Sequence, residues 1–254
     1  MNAAQALVDM PLWLRAILDD YADNQGLGSS NITAASGVAQ VYAIMHDRAA
    51  SERYILQSAP DAPETLFYRS TDEVVLALQS GDVPDAHPLT EHARTMWKLW
   101  QHNPGLQVGD DSLCFAGYVF GLNGDAAKAD AVFQRMNLYS RCDAFRGALK
   151  ERAGSFAAAE AVWVEGIAKS PDLPFVYMTR GQSRMKRGDL AGAEADFEAA
   201  HHGTPHFADP LKLWGDLLFK EGKTNEALAK YDEALQYAPN WQELRQARAN
   251  AKRS

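Results

Sequence analysis

Cysteine is scarce in this sequence. Cys114 and Cys142 are the only two, 28 residues apart and outside any Cys-x-x-Cys pair. That argues against a disulfide framework or a zinc ribbon and fits a reducing compartment. A basic surplus is also missing: 25 Lys and Arg stand against 33 Asp and Glu, for a net charge of −8. General nucleic-acid binding needs cations to neutralise phosphates, so no nucleic-acid partner is expected. No stretch approaches the roughly 18 consecutive apolar residues of a membrane span, so no membrane partner is expected either. The opening segment MNAAQALVDMPLWLRAILDD has no basic n-region, and Asp9 and Pro11 interrupt its apolar run. It does not read as a secretory signal, and the expected location is cytoplasmic. Catalytic signatures are lacking as well, with no Walker loop, no nucleophile elbow and no His-Glu-x-x-His. Neither an enzyme nor a cofactor is expected.

What is present is a folded composition, 46% hydrophobic, and one pattern repeated at a fixed step between Ser140 and Asn240. Gly147, Gly181 and Gly215 are 34 residues apart, as are Gly154, Gly188 and Gly222. The same step relates Ala159, Ala193 and Ala227, then Trp163, Phe197 and Tyr231, then Pro171, Pro205 and Pro239. Each copy reads as two helices joined by a tight turn. Gly154, Gly188 and Gly222 fall where the first helix must end in a left-handed residue. A capping side chain follows at Ser155, Asp189 and, one residue later, Thr224. Small residues let the paired helices approach, large aromatics fill the gap between a pair and its neighbour, and the prolines punctuate the hand-over. A single pair cannot bury its apolar face, so the copies stack into a solenoid.

This pattern resembles the tetratricopeptide repeat family, whose 34-residue unit carries small, aromatic and proline positions in this order. The segment LWGDLLFKEGKTNEALAKYDEALQYAP, from Leu213 to Pro239, shows it best. The resemblance implies an all-α superhelix of stacked helical hairpins with a concave groove lined by the first helix of each repeat. It also implies a role in holding a peptide or protein segment, as an adaptor or scaffold. Two other functional readings stay open: a ligand- or peptide-sensing regulatory module of a larger protein, and a self-associating scaffold.

Along the chain, residues 1–108 read as an N-terminal helix followed by degenerate helical pairs. Residues 109–239 read as four repeats and residues 240–254 as a C-terminal capping helix. The first helix is expected at residues 11–22, ahead of a Gly- and Ser-containing loop from Asp23 to Asn31. That loop lacks the third glycine of a phosphate cradle. Two helical patterns follow, split near His46–Asp47, then a helix over 64–79 and one holding Ala93, Trp97 and Trp100. The pair at 110–137 repeats the internal spacing through Gly117, Gly124, Asp125, Ala129 and Phe133. In the last segment Asn240 is the expected cap, with Trp241, Leu244 and Ala251 covering the final repeat and Arg245, Arg248, Lys252 and Arg253 facing water.

His201, His202 and His206 invite a metal reading, but Gly203 and Pro205 interrupt the helix between them, so no metal site is expected. The acidic group Asp19, Asp20 and Asp23 reads as a solvated helix end. By the family's pattern the peptide-binding groove includes Arg152, Phe175, Met178, Gln182, Met185, Lys186, Lys212, Phe219 and Lys220, with Arg141, Ala144, Ala148, Glu151, Asp209 and Asp216 at equivalent points. Phe175, Met178, Met185 and Phe219 would form an apolar strip, and Arg152, Lys186 and Lys220 a basic edge. The implied partner pairs apolar anchors with acidic residues. Some family members grip a C-terminal carboxylate with a Lys-x-x-x-Asn pair. None occurs here, and the nearest approximation sets Asp216 beside Lys212.

Overall fold

The computed structural model describes residues 38–39, 41–55, 63–79, 85–103, 112–136 and 140–254. The expected helix at 11–22, the loop after it and the acidic group at Asp19–Asp23 lie outside the described residues. Those up to Met136 form one compact unit and those from Ser140 onward another. Among the described residues, besides helical residues 38–39 and 41–44, there are twelve α-helices, one short 3-10 turn and no strand. No helix among them is long and apolar enough to cross a membrane.

In the first unit the predicted split near His46 is a turn in which His46 adopts φ 55°. Helix α1 (Arg48–Ile55) follows, opened by the Asp47 carboxylate accepting from the Ala50 amide at 3.1 Å. Helices α2 (Pro63–Gln79), α3 (Thr90–His102), α4 (Leu113–Leu122) and α5 (Ala126–Arg135) complete the unit. Helix α2 packs on α3 and α4, and α4 packs on α5. Their shared interior holds Phe67, Val74, Met96, Leu113 and Phe120, each nearly or wholly buried. Asn123 ties the turn after α4 to the start of α3, donating to the Ala86 carbonyl at 3.1 Å and to Thr90 Oγ1 at 2.8 Å. Neither cysteine is a free thiol. The reduced state expected from their spacing is therefore corrected.

The second unit contains the regular copies: α6 (Ser140–Arg152) with α7 (Phe156–Lys169), α8 (Pro174–Arg187) with α9 (Leu190–Gly203), and α10 (Ala208–Lys220) with α11 (Thr224–Tyr237), closed by α12 (Gln242–Ala251). Gly154, Gly188 and Gly222 end the first helices with φ of 77°, 86° and 79°. Only glycine enters that region without steric cost.

The glycine and aromatic columns form one lock. A Cβ at Gly181 would meet the Phe197 ring at 2.6 Å and one at Gly215 the Tyr231 ring at 2.5 Å. At Gly147 it would run into the Trp163 indole. Each aromatic of a second helix thus lies over the bare backbone of the first helix of its own pair. Phe197 also packs with Ala193 of its own helix and with Leu213, Trp214 and Leu217 from the following copy, so it spans the gap between pairs as expected. All three aromatics are 1% exposed or less.

Capping departs from expectation in three places. The Asp189 carboxylate does cap α9, accepting from the Gly192 amide at 3.0 Å. Ser155 occupies the capping position of α7 without a side-chain bond, and Thr224 lies inside α11, whose capping residue is Lys223. At the end of the chain the cap of α12 is Trp241, not Asn240. The Asn240 side chain instead accepts from Arg245 at 3.2 Å. Trp241, Leu244 and Ala251 are buried against the final pair as predicted. Arg245, Lys252 and Arg253 are exposed, whereas Arg248 is half-buried and hydrogen-bonded to Asp232.

A second contact column alternates in chemistry. In α8, Arg180 grips buried Asp196 of α9 through both carboxylate oxygens, at 2.6 to 3.2 Å. Arg184 joins the same carboxylate at 3.0 Å and reaches back to Glu160 of α7 at 2.9 Å. One copy later the column holds Trp214 and Lys230, with the ammonium 3.7 Å from the ring centroid. The Trp214 indole donates to Glu194, the equivalent of Glu160, at 3.1 Å. One copy earlier, Arg146 turns to Asp143 on its own helix at 3.0 Å.

Candidate functional site: the first-helix face of the second unit

Helix α8 packs against α6 on one side and α10 on the other. The predicted groove residues lie on these three helices. Phe175 is half-buried, with the Arg141 guanidinium 3.9 Å from its ring centroid and Phe207 in edge contact at 6.3 Å. Beneath it lie Ala144, Trp163 and Val176. Phe207, the residue before α10, was not anticipated, because the repeat columns assign no aromatic there. Met178 is half-buried, and Gln182 and Lys186 are exposed one and two turns further on. Met185 packs against the cluster built on Ala193, Phe197 and Leu217. Its carbonyl accepts from Lys220 Nζ at 3.2 Å, which links the ends of α8 and α10. Phe219 is half-buried against the terminal cluster around Tyr231 and Trp241. Arg152, Lys186 and Lys220 are all exposed, at the last turn of α6, α8 and α10.

Some of these groups are engaged within the chain. Lys212 pairs with Asp216 at 2.7 Å, and Tyr231 donates its hydroxyl to the other Asp216 oxygen at 2.8 Å. Burial and the neighbouring Asp216 carboxylate raise the Tyr231 phenol above its usual value, so it remains a donor. Glu151 accepts a hydrogen bond from Ser183, and Ala144 is core. Three of the four apolar members predicted for the strip, Phe175, Met185 and Phe219, thus pack against core clusters.

The three histidines separate. His201 is half-buried with Nε2 3.6 Å from Glu233, and its Nδ1 is enclosed without a hydrogen-bond partner. The His206 ring lies against Tyr237, with centroids 5.3 Å apart, and His202 is exposed. Burial holds the His201 imidazole below its ordinary value against the opposing pull of Glu233, with Lys230, His202 and His206 also lowering it. The unfolded chain therefore takes up this proton more readily than the folded one. His201 thus costs no stability above the unfolded value of about 6.5, and stability falls as pH drops below it. The drop in melting temperature between pH 7.5 and pH 5 should be smaller for His201→Gln than for the parent. Equal drops would remove His201 as a contributor.

Stacked antiparallel helical hairpins with glycine-seated aromatics define an all-α repeat solenoid. Residues 208–241 match the tetratricopeptide repeat family, and the same columns recur at the same step through the two copies before them. The chain thus carries a tetratricopeptide repeat at residues 208–241, within an all-α helical-repeat fold. The search of curated proteins finds no match. Among solved structures, the human IFIT1 dimer with m7Gppp-AAAA shares 12% identity over 94% of this chain and 59% of that one, with a TM-score of 0.54. The thermophilic TPR protein TTC0263 of Thermus thermophilus shares 19% identity over 95% of this chain and all of its own, with a TM-score of 0.40. YrrB, described as a TPR protein with an unusual peptide-binding site, shares 12% identity over 80% of this chain and 97% of its own, with a TM-score of 0.42.

Proposed function

We propose that this is a non-enzymatic interaction protein that holds an extended, acidic segment of another protein across α6, α8 and α10. The observation carrying this reading is the exposure of Arg152, Lys186 and Lys220 at one register of three consecutive first helices, with half-buried Phe175 and Met178 toward the start of α8. Such a row supplies charge complementarity that steers an acidic segment and fixes its direction. Pliable methionine suits the apolar anchors between the acids. Lys212 lies outside the row, at the register of Met178, and pairs with Asp216.

The probe is a fluorescent peptide of alternating leucine and glutamate, titrated by anisotropy against the full chain. Its glutamine counterpart serves as the control. Arg152→Glu with Lys186→Glu and Lys220→Glu should weaken binding of the acidic peptide at least about tenfold and leave the melting temperature within a degree or two, since all three residues are exposed. Unchanged affinity in the triple variant, or equal binding of the glutamine peptide, would overturn the proposal. Met185→Glu is unsuitable for this test, because Met185 also supports the Phe197 cluster.

A further inference from the structure

Three columns on one flank of the hairpins run Asp143, Tyr177, Leu211; then Glu165, Ala199, Glu233; then Lys169, Gly203, Tyr237, each stepping by 34 residues. In the α6–α7 pair a cation from the chain itself occupies them. Lys169 Nζ lies 3.1 Å from buried Asp143 and 3.0 Å from Glu165. In the α10–α11 pair Leu211 is fully buried and Tyr237 packs on His206. In the α8–α9 pair the same columns hold Tyr177, Ala199 and Gly203, and a cleft of about 390 Å³ opens there.

The chain cannot fill this cleft from within as it does one copy earlier. A Cβ at Gly203 would come within 2.5 Å of the Asp172 carbonyl oxygen, so no lysine or tyrosine fits at that position. Pro171, Ala195 and Ala199 give the cleft apolar walls, Tyr177 and His202 line it as well, and Asp172 and Glu198 bring two carboxylates to it. Both acids are exposed, and neither forms an ion pair among the described residues. Arg180, 5.9 Å from the Tyr177 ring centroid, is already paired with Asp196.

We propose that this cleft receives a lysine side chain presented by a partner protein. An alkyl stem would lie along Ala195, Ala199 and Pro171, as long charged side chains do on apolar surface. Its ammonium would meet Asp172 and Glu198, two acids that stand at other positions of the repeat than the Asp143 and Glu165 holding Lys169 in the preceding copy. The Tyr177 face adds cation–π attraction. This site is separate from the basic row on α6, α8 and α10 and takes a partner segment of opposite charge.

The test uses the 15N-labelled full chain and two probes, Nα-acetyl-lysine methylamide and the isosteric norleucine compound. The lysine probe should shift the amides of Ala195, Ala199 and Gly203 saturably, with the norleucine probe at least about tenfold weaker. Asp172→Asn with Glu198→Gln, both exposed and checked by melting temperature, should weaken the lysine probe to the norleucine level. Ala199→Leu, which fills the cleft, should abolish the shifts. The Arg152, Lys186 and Lys220 triple variant should bind the lysine probe as the parent does, which separates this site from the groove. Equal response to both probes, full affinity in the carboxamide variant, or no localised shift with the lysine probe would each overturn the assignment.

Discussion

Phe197→Ala is expected to cost on the order of 3–5 kcal/mol, enough to consume much of the stability of a typical domain. The ring is fully buried. It rests on Gly181 of its own pair and on Leu217, Leu213 and Trp214 of the next. Truncation therefore opens a void at two interfaces at once. Glycine on the opposite face cannot lean in to fill it, and the helices on either side are held by their own contacts, so the cavity collapses poorly. Urea melts of parent and variant would read the loss directly. A loss below about 1 kcal/mol would show that the site relaxes or that the ring is not core. Gly181→Ala approaches the same contact from the other side, since its methyl group would overlap the ring.

Asp196→Ala should be of similar size, about 3–5 kcal/mol, for an electrostatic reason. Its carboxylate is 3% exposed and takes hydrogen bonds from both Arg180 and Arg184. Removing it leaves two guanidinium groups, 13% and 21% exposed, sharing Glu160, itself a third exposed, with only the well-exposed Asp189 besides, 3.9 Å from Arg184. Uncompensated cations facing each other cost far more than the intact network contributes. Replacing Arg180 with Leu together with Asp196→Leu should restore much of the loss, because the pair is then exchanged for packed apolar surface. If Asp196→Ala unfolds no more easily than the parent in urea, the network contributes only surface-like energy.

The hairpins from Ser140 onward were legible because their columns answer backbone and steric demands that only a few residue types meet. Positive φ at Gly154, Gly188 and Gly222 admits glycine almost alone, and the seats at Gly147, Gly181 and Gly215 exclude any Cβ. Such constraints leave fixed letters at fixed intervals. Capping was less legible. Ser155 and Thr224 have the right chemistry, but a capping bond also depends on a side-chain rotamer and a one-residue register that spacing does not report. The candidate site was legible only as a set of positions. The pairing of Lys212 with Asp216, four residues on in the same helix, could be read from the spacing. Whether Met185 faces outward or wedges against Phe197 depends on neighbours that come from other helices. Phe207 escaped notice for the same reason, since its partner Phe175 is remote in sequence and lies in the preceding copy.

The alternating column of Arg180 with Asp196 and Trp214 with Lys230 makes the modules non-interchangeable. A shuffled chain that set α8 against α11 would face the Arg180 guanidinium with the Lys230 ammonium. One that set α10 against α9 would offer Trp214 an unneutralised carboxylate. Helices α8 and α10 therefore each carry a key cut for the second helix that follows it. A repeat can be duplicated or transplanted as a whole hairpin, but a cut made inside one produces a mismatch that the backbone, identical in every copy, gives no sign of.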